Sequence, residues 1–373
     1  MLTQEGCRTR QERFRTLLAR EGIDAAVVSD PRDVYYLTGF LASGPMPLPV
    51  LLYLESDGRS VLAAPNADDP AAVDERATYE PHLLATLNPD PMRRLGRAIA
   101  DHLAGARSVR RLGWQAESLP RHVGDLLATT LHPEEWTPID DGLADLQKRK
   151  DPDEIALLRE SIACTLAAYD AVREAIAPGA NELAVLEAGH RAANLRAGEP
   201  VFHNGDYRSG EPGGPARNRE IEAGELYIVD AWTIYRGYWS DLCRTFPVAE
   251  PTPLQREVFA HMAQILSDVP SQLKPGAHGT DLWRWIDRRI REHPHLREAG
   301  LGHHAGHGVG ARAHEAPDLN RDREGILEPG NVVSCEPGSY VPDLNSGVRL
   351  ENTFLITETG CELLSNYPVV LMT

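Results

Sequence analysis

Four carboxylates and one imidazole, far apart in the chain, are the residues whose types and surroundings suit joint chemistry. Asp230 stands in LYIVDAW (226–232), amid Ile228, Val229 and Ala231. A strand that apolar is expected to be buried, and a buried carboxylate without a cationic partner is costly. Asp241 follows in YWSDLCRTF (238–246), across a turn at 233–237, where hairpin pairing can bring both carboxylates onto one face. Strand-end acids facing water would be the plain alternative if this hairpin stood alone. A second hairpin repeats the arrangement: Glu336 follows VVSC in NVVSCEPGSYV (331–341), and Glu351 follows Val348 and Leu350 in SGVRLENTFLIT (346–357), with the turn PDLN between them.

The imidazole is expected from His307, within GHGVG, where small neighbours let the backbone approach closely and leave the ring accessible. His314, seven residues on, is the natural group for the oxyanion side. Solvent-facing loop histidines are the alternative, and the clustering of His303, His304, His307 and His314 argues against it. Four carboxylates with one imidazole describe a hard, oxygen-rich site for two divalent ions, whereas a structural zinc site would need Cys or His at short spacing. The five cysteines (Cys7, Cys164, Cys243, Cys335, Cys361) have no such spacing. Two ions ~3.5–4 Å apart can share a hydroxide, giving a nucleophile at neutral pH, and can polarise a carbonyl. The sequence holds no H-E-x-x-H, no G-x-S-x-G, no P-loop and no G-x-G-x-x-G after a strand.

The elements that must position these residues fall in two groups. From 9 to 145, short apolar runs alternate with amphipathic stretches: strands are expected at 23–28, 49–54, 60–64 and 108–113, and helices near 91–104 and 117–130, an α/β pattern. A boundary falls near 146–151, so the domains are expected at 1–146 and 147–373. There QKRKDPDE combines a charge run with a helix start: Asp151 as N-cap, Pro152 in the first turn and Glu154 closing a capping box. Ile155, Leu158, Ile162, Leu166, Tyr169, Val172 and Ile176 make one apolar stripe, ended by Pro178-Gly179. Helices are expected near 181–197, 252–269 and 279–293, with a Gly- and Pro-rich stretch at 204–218 and the two hairpins, an α+β pattern.

With 373 residues, two domains are the natural expectation. Lys and Arg number 38 against 55 Asp and Glu, and a net charge of −17 repels phosphate backbones and anionic lipid, so neither nucleic acid nor a membrane is an expected partner. Scattered cysteines, an N-terminus without the apolar core of a signal peptide, and no apolar run of some 18 residues point to the cytoplasm.

IVD…SDLCRTF, GHGVGARAHEAP, CEPGSY and GVRLENT, in that order, resemble the pita-bread-fold metallohydrolases: Xaa-Pro dipeptidase (prolidase), aminopeptidase P, creatinase and methionine aminopeptidase. RKDPDEIALLR looks like the helix that opens their catalytic domain, and GIDAAVVSDPRDVYYLTGF like the N-terminal domain of the creatinase and prolidase branch. The resemblance implies a creatinase-like α/β domain followed by an α+β pita-bread domain, a metallopeptidase acting on a small peptide or amide, two divalent ions (manganese first; cobalt, zinc or iron as alternatives) and a homodimer. It implies that Asp230 binds one ion, that Asp241 and Glu351 bridge, that His307 and Glu336 complete the second, that Glu336 is the general base and that His314 stabilises the developing oxyanion. His303 would line the substrate site, and Arg349 would orient substrate or form a structural ion pair.

One departure stands out. The family's peptidases usually carry a histidine about seventeen residues before the first Asp ligand, and here that place is Gly213, with His203 or Arg217 as candidates to substitute. Cys243 stands where the family often has Thr, either near the ions or simply packed. The first reading is therefore an Xaa-Pro dipeptidase or aminopeptidase, the second a small-molecule C–N hydrolase or lyase on the same scaffold, and the third a non-catalytic binding protein stabilised by its metals.

Overall fold

Segments such as AAVV (25–28) and SVLAA (60–64) are apolar at nearly every position, which suits strands covered on both faces. The computed structural model describes residues 1–42, 48–65, 69–81 and 90–371, and the chain divides into two units, Met1–Gln147 and Lys148–Thr373. In the first unit helices α1 (Gln4–Arg20), α2 (Pro31–Thr38), α3 (Pro91–His102), α4 (Arg121–Leu131) and α5 (Asp140–Gln147) cover a six-stranded sheet. Its strands are β1 (Ala25–Val28), β2 (Leu51–Glu55), β3 (Ser60–Pro65), β4 (Glu75–Tyr79), β5 (Arg111–Trp114) and β6 (Glu135–Pro138), in the order β4-β3-β2-β1-β5-β6. Alternate residues of β1 serve two cores: Ala25 and Val27 share one with Leu95, Ile99, Val123 and Leu127, and Ala26 and Val28 share the other with Phe14, Leu18, Leu37 and Leu143. The α/β expectation is met. Sequence reading passed over α2, α5 and the two edge strands β4 (ERATY) and β6 (EWTP), segments too short or too polar to show a period.

The first helix of the second unit starts where DPDE predicts it. Asp151 and Glu154 form a capping box at the start of α6 (Pro152–Ala175), and Leu158, Ile162, Tyr169 and Val172 of the apolar stripe are buried. After α7 (Glu182–Ala197) come β7 (Phe202–Ser209), β8 (Leu226–Tyr235), β9 (Tyr238–Trp239) and β10 (Leu242–Pro247), with sheet order β10-β8-β7 and β9 on the end of β8. Strand β7 lies partly in the stretch read as Gly- and Pro-rich loop. FHNGDYRS has little strand character of its own and is held by pairing with β8 along its whole length. A second α-then-β half follows: α8 (Pro253–Asp268), α9 (Gly279–Arg291), β11 (Gly306–Gly308), β12 (Glu315–Leu319), β13 (Val332–Cys335), β14 (Gly338–Ser339), β15 (Val348–Arg349), β16 (Asn352–Ile356) and β17 (Cys361–Leu363). Five of these strands form a sheet ordered β12-β11-β13-β16-β17, and β14 pairs with β15. Within the second hairpin, PDLN holds a short 3-10 turn over Pro342–Leu344.

Backbone hydrogen bonds and one buried cation join the two halves of this unit. Glu351 N donates to Cys243 O at 3.0 Å, and Arg349 N donates to Thr245 Oγ1 at 3.0 Å. Arg244, 2 % exposed, donates to the carbonyls of Cys243, Glu351, Pro368 and Tyr367 and to Asn352 Oδ1. Its guanidinium thus pins β10 to the turn that presents Glu351. Arg244→Met would strand the carbonyls of Glu351, Tyr367 and Pro368 in the interior and is expected to cost about 3 kcal/mol or more. The check is thermal melting followed by metal analysis, and an unchanged melt would show that those carbonyls find other partners.

Candidate metal centre

Each of the five residues sits where local structure leaves it little freedom. Asp230 lies mid-strand in β8, opposite Cys243 of β10 on one side and Asp206 of β7 on the other. Asp241 occupies the break between β9 and β10, where its carbonyl accepts from Thr353 Oγ1 at 2.7 Å. Glu336 directly follows β13 and donates its N–H to Ala305 O at 2.9 Å, and Glu351 stands between β15 and β16. His307 is the central residue of β11, a strand squeezed between β12 and β13. A Cβ at Gly306 would lie 2.0 Å from Ser334 O, and one at Gly308 would lie 2.3 Å from Ala316 O. The two glycines of GHG are therefore what admits His307 to this position.

The donor atoms converge. Those of Asp230, Asp241 and Glu351 lie within 4.8 Å of one another, as do those of His307, Glu336 and Glu351. Asp241 is 7 % exposed, His307 6 %, Glu336 5 % and Glu351 1 %. Burial, with repulsion from Glu336 and Asp206 against the pull of Arg349, raises Asp230 to about 6. Burial and the neighbouring carboxylates push Asp241 and Glu351 well above the usual carboxylate range. Glu336 differs: burial opposes its charge, yet the close approach of His304 above all, with His303 and His307 nearby, holds it down to about 2.

These residues fit two divalent cations. Glu351 Oε2 is buried without a hydrogen-bond partner, and the neighbouring carboxylates repel one another, a combination that cations resolve. Burial lowers His307 to about 4, so its ring is neutral, the form that ligates. His307 Nδ1 donates to Gly308 O at 3.0 Å, which leaves the Nε2 lone pair facing Asp241 Oδ2 at 3.6 Å and Glu336 Oε1 at 3.7 Å. Oxygen-dominated donors with one imidazole suit manganese, iron, cobalt or zinc.

The centre forms the floor of a cavity of about 500 Å³, also lined by His304, His314, Arg349, Asp206 and Trp232. His314 stacks on His307, with ring centroids 3.8 Å apart. Arg349 makes the ion pairs foreseen as one of its two roles, to Asp230 Oδ2 at 3.1 Å and Asp206 Oδ2 at 2.6 Å. His304 was named only as part of the histidine cluster, yet its Nδ1 lies 3.2 Å from Glu336 Oε1; the adjacent histidine pair was the available signal. His303 is set further back, with its Nε2 hydrogen-bonded to Tyr340 OH at 3.0 Å, and it lines an adjoining cleft with Trp283 and Asp318 rather than the cavity itself. Asp206 escaped sequence reading because β7 did.

The other two candidates point elsewhere. His203 alternates with the cavity-facing residues of β7 and is 3 % exposed, held by Thr233 Oγ1 at 3.0 Å and Tyr207 OH at 2.7 Å. As a substrate contact it is corrected: odd and even positions of a strand face opposite ways. Arg217 pairs with Glu182 and Glu211, each at 2.6 Å. Cys243 is fully buried, its thiol 3.4 Å from Arg349 O.

Protein stripped by chelation is expected to take up close to two manganese ions per chain with a rise in melting temperature, and Glu351→Gln to take up one or fewer. Elemental analysis and calorimetry measure both, and full uptake by the variant would remove Glu351 from the ligand set. His203→Gln is expected to lower the melting temperature while leaving the kinetics of the folded protein unchanged, whereas a raised KM at an unchanged melt would return His203 to the substrate site.

Two family profiles cover most of the sequence: metallopeptidase family M24 over residues 156–358 and the creatinase/prolidase N-terminal domain over residues 10–147. An uncharacterised peptidase of Bacillus subtilis is 28 % identical over 97 % of this chain and 99 % of its own length. The Xaa-Pro dipeptidase of Pyrococcus furiosus is 34 % identical over 62 % of this chain and 67 % of its own length. The solved structure of prolidase from Pyrococcus furiosus superimposes with a TM-score of 0.77 at 25 % identity, covering 95 % of this chain and 99 % of that one.

Proposed function

The chain belongs to metallopeptidase family M24, carried on the pita-bread fold behind a creatinase-type N-terminal domain, and from that premise we propose a hydrolase with two metal ions, of the Xaa-Pro dipeptidase and aminopeptidase type. The observation that carries this reading is the convergence of Asp230, Asp241, His307, Glu336 and Glu351 on one buried point at the floor of a cavity. Asp230 would hold one ion, Asp241 and Glu351 would bridge, and His307 and Glu336 would complete the second. When bound, the pair would supply Lewis acidity toward the scissile carbonyl and a water acidic enough to attack at neutral pH.

The chain's own groups do the rest. Glu336 is the one ligand carboxylate held low, by His304 above all, so it is ionised at neutral pH, the state a proton acceptor needs, and the acidity of a metal-bound water would make up for its low basicity. His304 steadies that oxygen from 3.2 Å. His314 is held below its ordinary value by burial and by His304; as a neutral ring on the cavity wall it can donate N–H to the carbonyl oxygen as negative charge develops there. Arg349, clamped between Asp206 and Asp230, fixes the orientation of the Asp230 carboxylate.

The finer points follow the family likeness. Manganese is the proposed metal and a homodimer the proposed assembly. A cytoplasmic setting is supported by five free cysteines. The structural feature that favours the second reading, a non-peptide amide or other C–N bond as substrate, is Gly213 and what stands against it.

Manganese-loaded protein is expected to cleave Xaa-Pro dipeptides or longer Xaa-Pro peptides, and Glu336→Gln to lower kcat at least about a hundredfold. Metal content measured alongside separates a lost base from a lost ion. Wild-type protein that is fully loaded yet leaves a broad Xaa-Pro panel intact would overturn the peptidase reading.

A further inference from the structure

The space beside Gly213 is filled by charge. A Cβ there would lie 2.4 Å from Asp206 Oδ2 and 3.2 Å from Arg349 Nη2, so the Asp206–Arg349 pair occupies the volume that a side chain at 213 would take. Among the described residues lining the cavity, Arg349 is the only Lys or Arg, and both sides of its guanidinium are already met by carboxylates. Five carboxylates against that one guanidinium leave four negative charges, which two divalent cations would balance. Among the described lining residues no further Lys or Arg then remains for a carboxylate on the substrate, and a dipeptide carries one a single residue from its scissile bond. Placed near Asp206, that carboxylate would be desolvated against a like charge.

Strand register shows what stands beside Asp206. On β7, Phe202, Asn204 and Asp206 share a face, opposite Ile234, Trp232 and Asp230 of β8. Asp206 and Trp232 both line the cavity. Trp232 is flanked by Trp239 and Phe202, with ring centroids 4.6 and 5.4 Å away. The Asp206 side chain is 35 % exposed and accepts from Arg349 at Oδ2; among the described residues no donor meets Oδ1. Trp232 thus stands one pair along from Asp206, on the same cavity wall, and a carboxylate and an indole on one wall together suit an organic cation, the first by charge and the second by ring quadrupole. The net charge of −17 adds long-range attraction of the same sign.

We propose that Asp206, with Trp232 beside it, is the subsite that selects this enzyme's substrate: a peptide or amide bearing an ammonium or guanidinium group, with no free carboxylate next to the scissile bond. The assignment rests on the hydrolytic reading above and names the substrate class that this site takes.

Two measurements test it, one of them independent of turnover. Manganese-loaded full-length protein is titrated with n-butyltrimethylammonium, which cannot ligate a metal, following indole fluorescence and heat. Saturable binding is expected in the wild type, weakened about tenfold or more in Asp206→Asn and in Trp232→Leu. Absence of saturable binding, or equal binding in both variants, overturns the subsite whatever peptides are cleaved. In the second measurement kcat/KM is compared for Ala-Pro, Ala-Pro amide and Ala-Pro aminoethylamide. The aminoethylamide is expected to exceed the free acid about tenfold or more, with Asp206→Asn removing most of the gap. A free acid cleaved as well as the aminoethylamide overturns the subsite while leaving the peptidase reading intact. Saturable, Asp206-dependent binding without cleavage of any of the three supports the subsite and counts against the peptidase reading.

Discussion

Mutual repulsion among Asp230, Asp241, Glu336 and Glu351, packed where water is scarce, is the constraint around which the catalytic unit is arranged. Carboxylates so placed destabilise any fold that cannot hold them on well-anchored backbone and offset their charge. The anchoring is visible in the backbone. Glu351 is tied to β10 through Cys243, Asp241 to β16 through Thr353, and Arg244 gathers the carbonyls of four residues at the junction. Those bonds use main-chain atoms and leave the carboxylate oxygens to point inward.

Within that cluster the charges are not equivalent. Asp241 and Glu351 are pushed up by burial and by their neighbours, whereas Glu336 faces three histidines and is held down. Acids of one chemical kind thus divide into groups whose charge is penalised until a cation offsets it and one whose charge is already stabilised, and the division comes from where the histidines of β11 and its approach are placed.

Much of this was legible in the chain itself. Acids inside apolar runs, such as Asp230 within IVDA, signal a buried charge by composition alone, and GHG signals a backbone that neighbours approach closely. The long helices read well because their stripes repeat over many turns, as in α6. What escaped was β7. Its residues FHNGDYRS carry a glycine, an asparagine and an aspartate and gain strand form only by pairing with β8, so neither Asp206 nor the burial of His203 on the face away from the cavity could be inferred from periodicity. Adjacent histidines posed a related difficulty: His303 and His304 are equivalent in composition, and only the path of the loop entering β11 decides that His304 meets Glu336 from the cavity side.

Strand β7 lies at the rim of its sheet, bonded to β8 alone. The ligand-bearing β8 has a second neighbour in β10 and is steadied from both sides. A point change at Asn204 of the rim strand can therefore alter the pocket's shape while the hydrolytic core keeps its geometry, whereas Asp206 is coupled to Asp230 through Arg349. Such an arrangement separates the evolution of substrate preference from the preservation of reactivity, and a lineage could move between amide substrates by drift within a few outer positions.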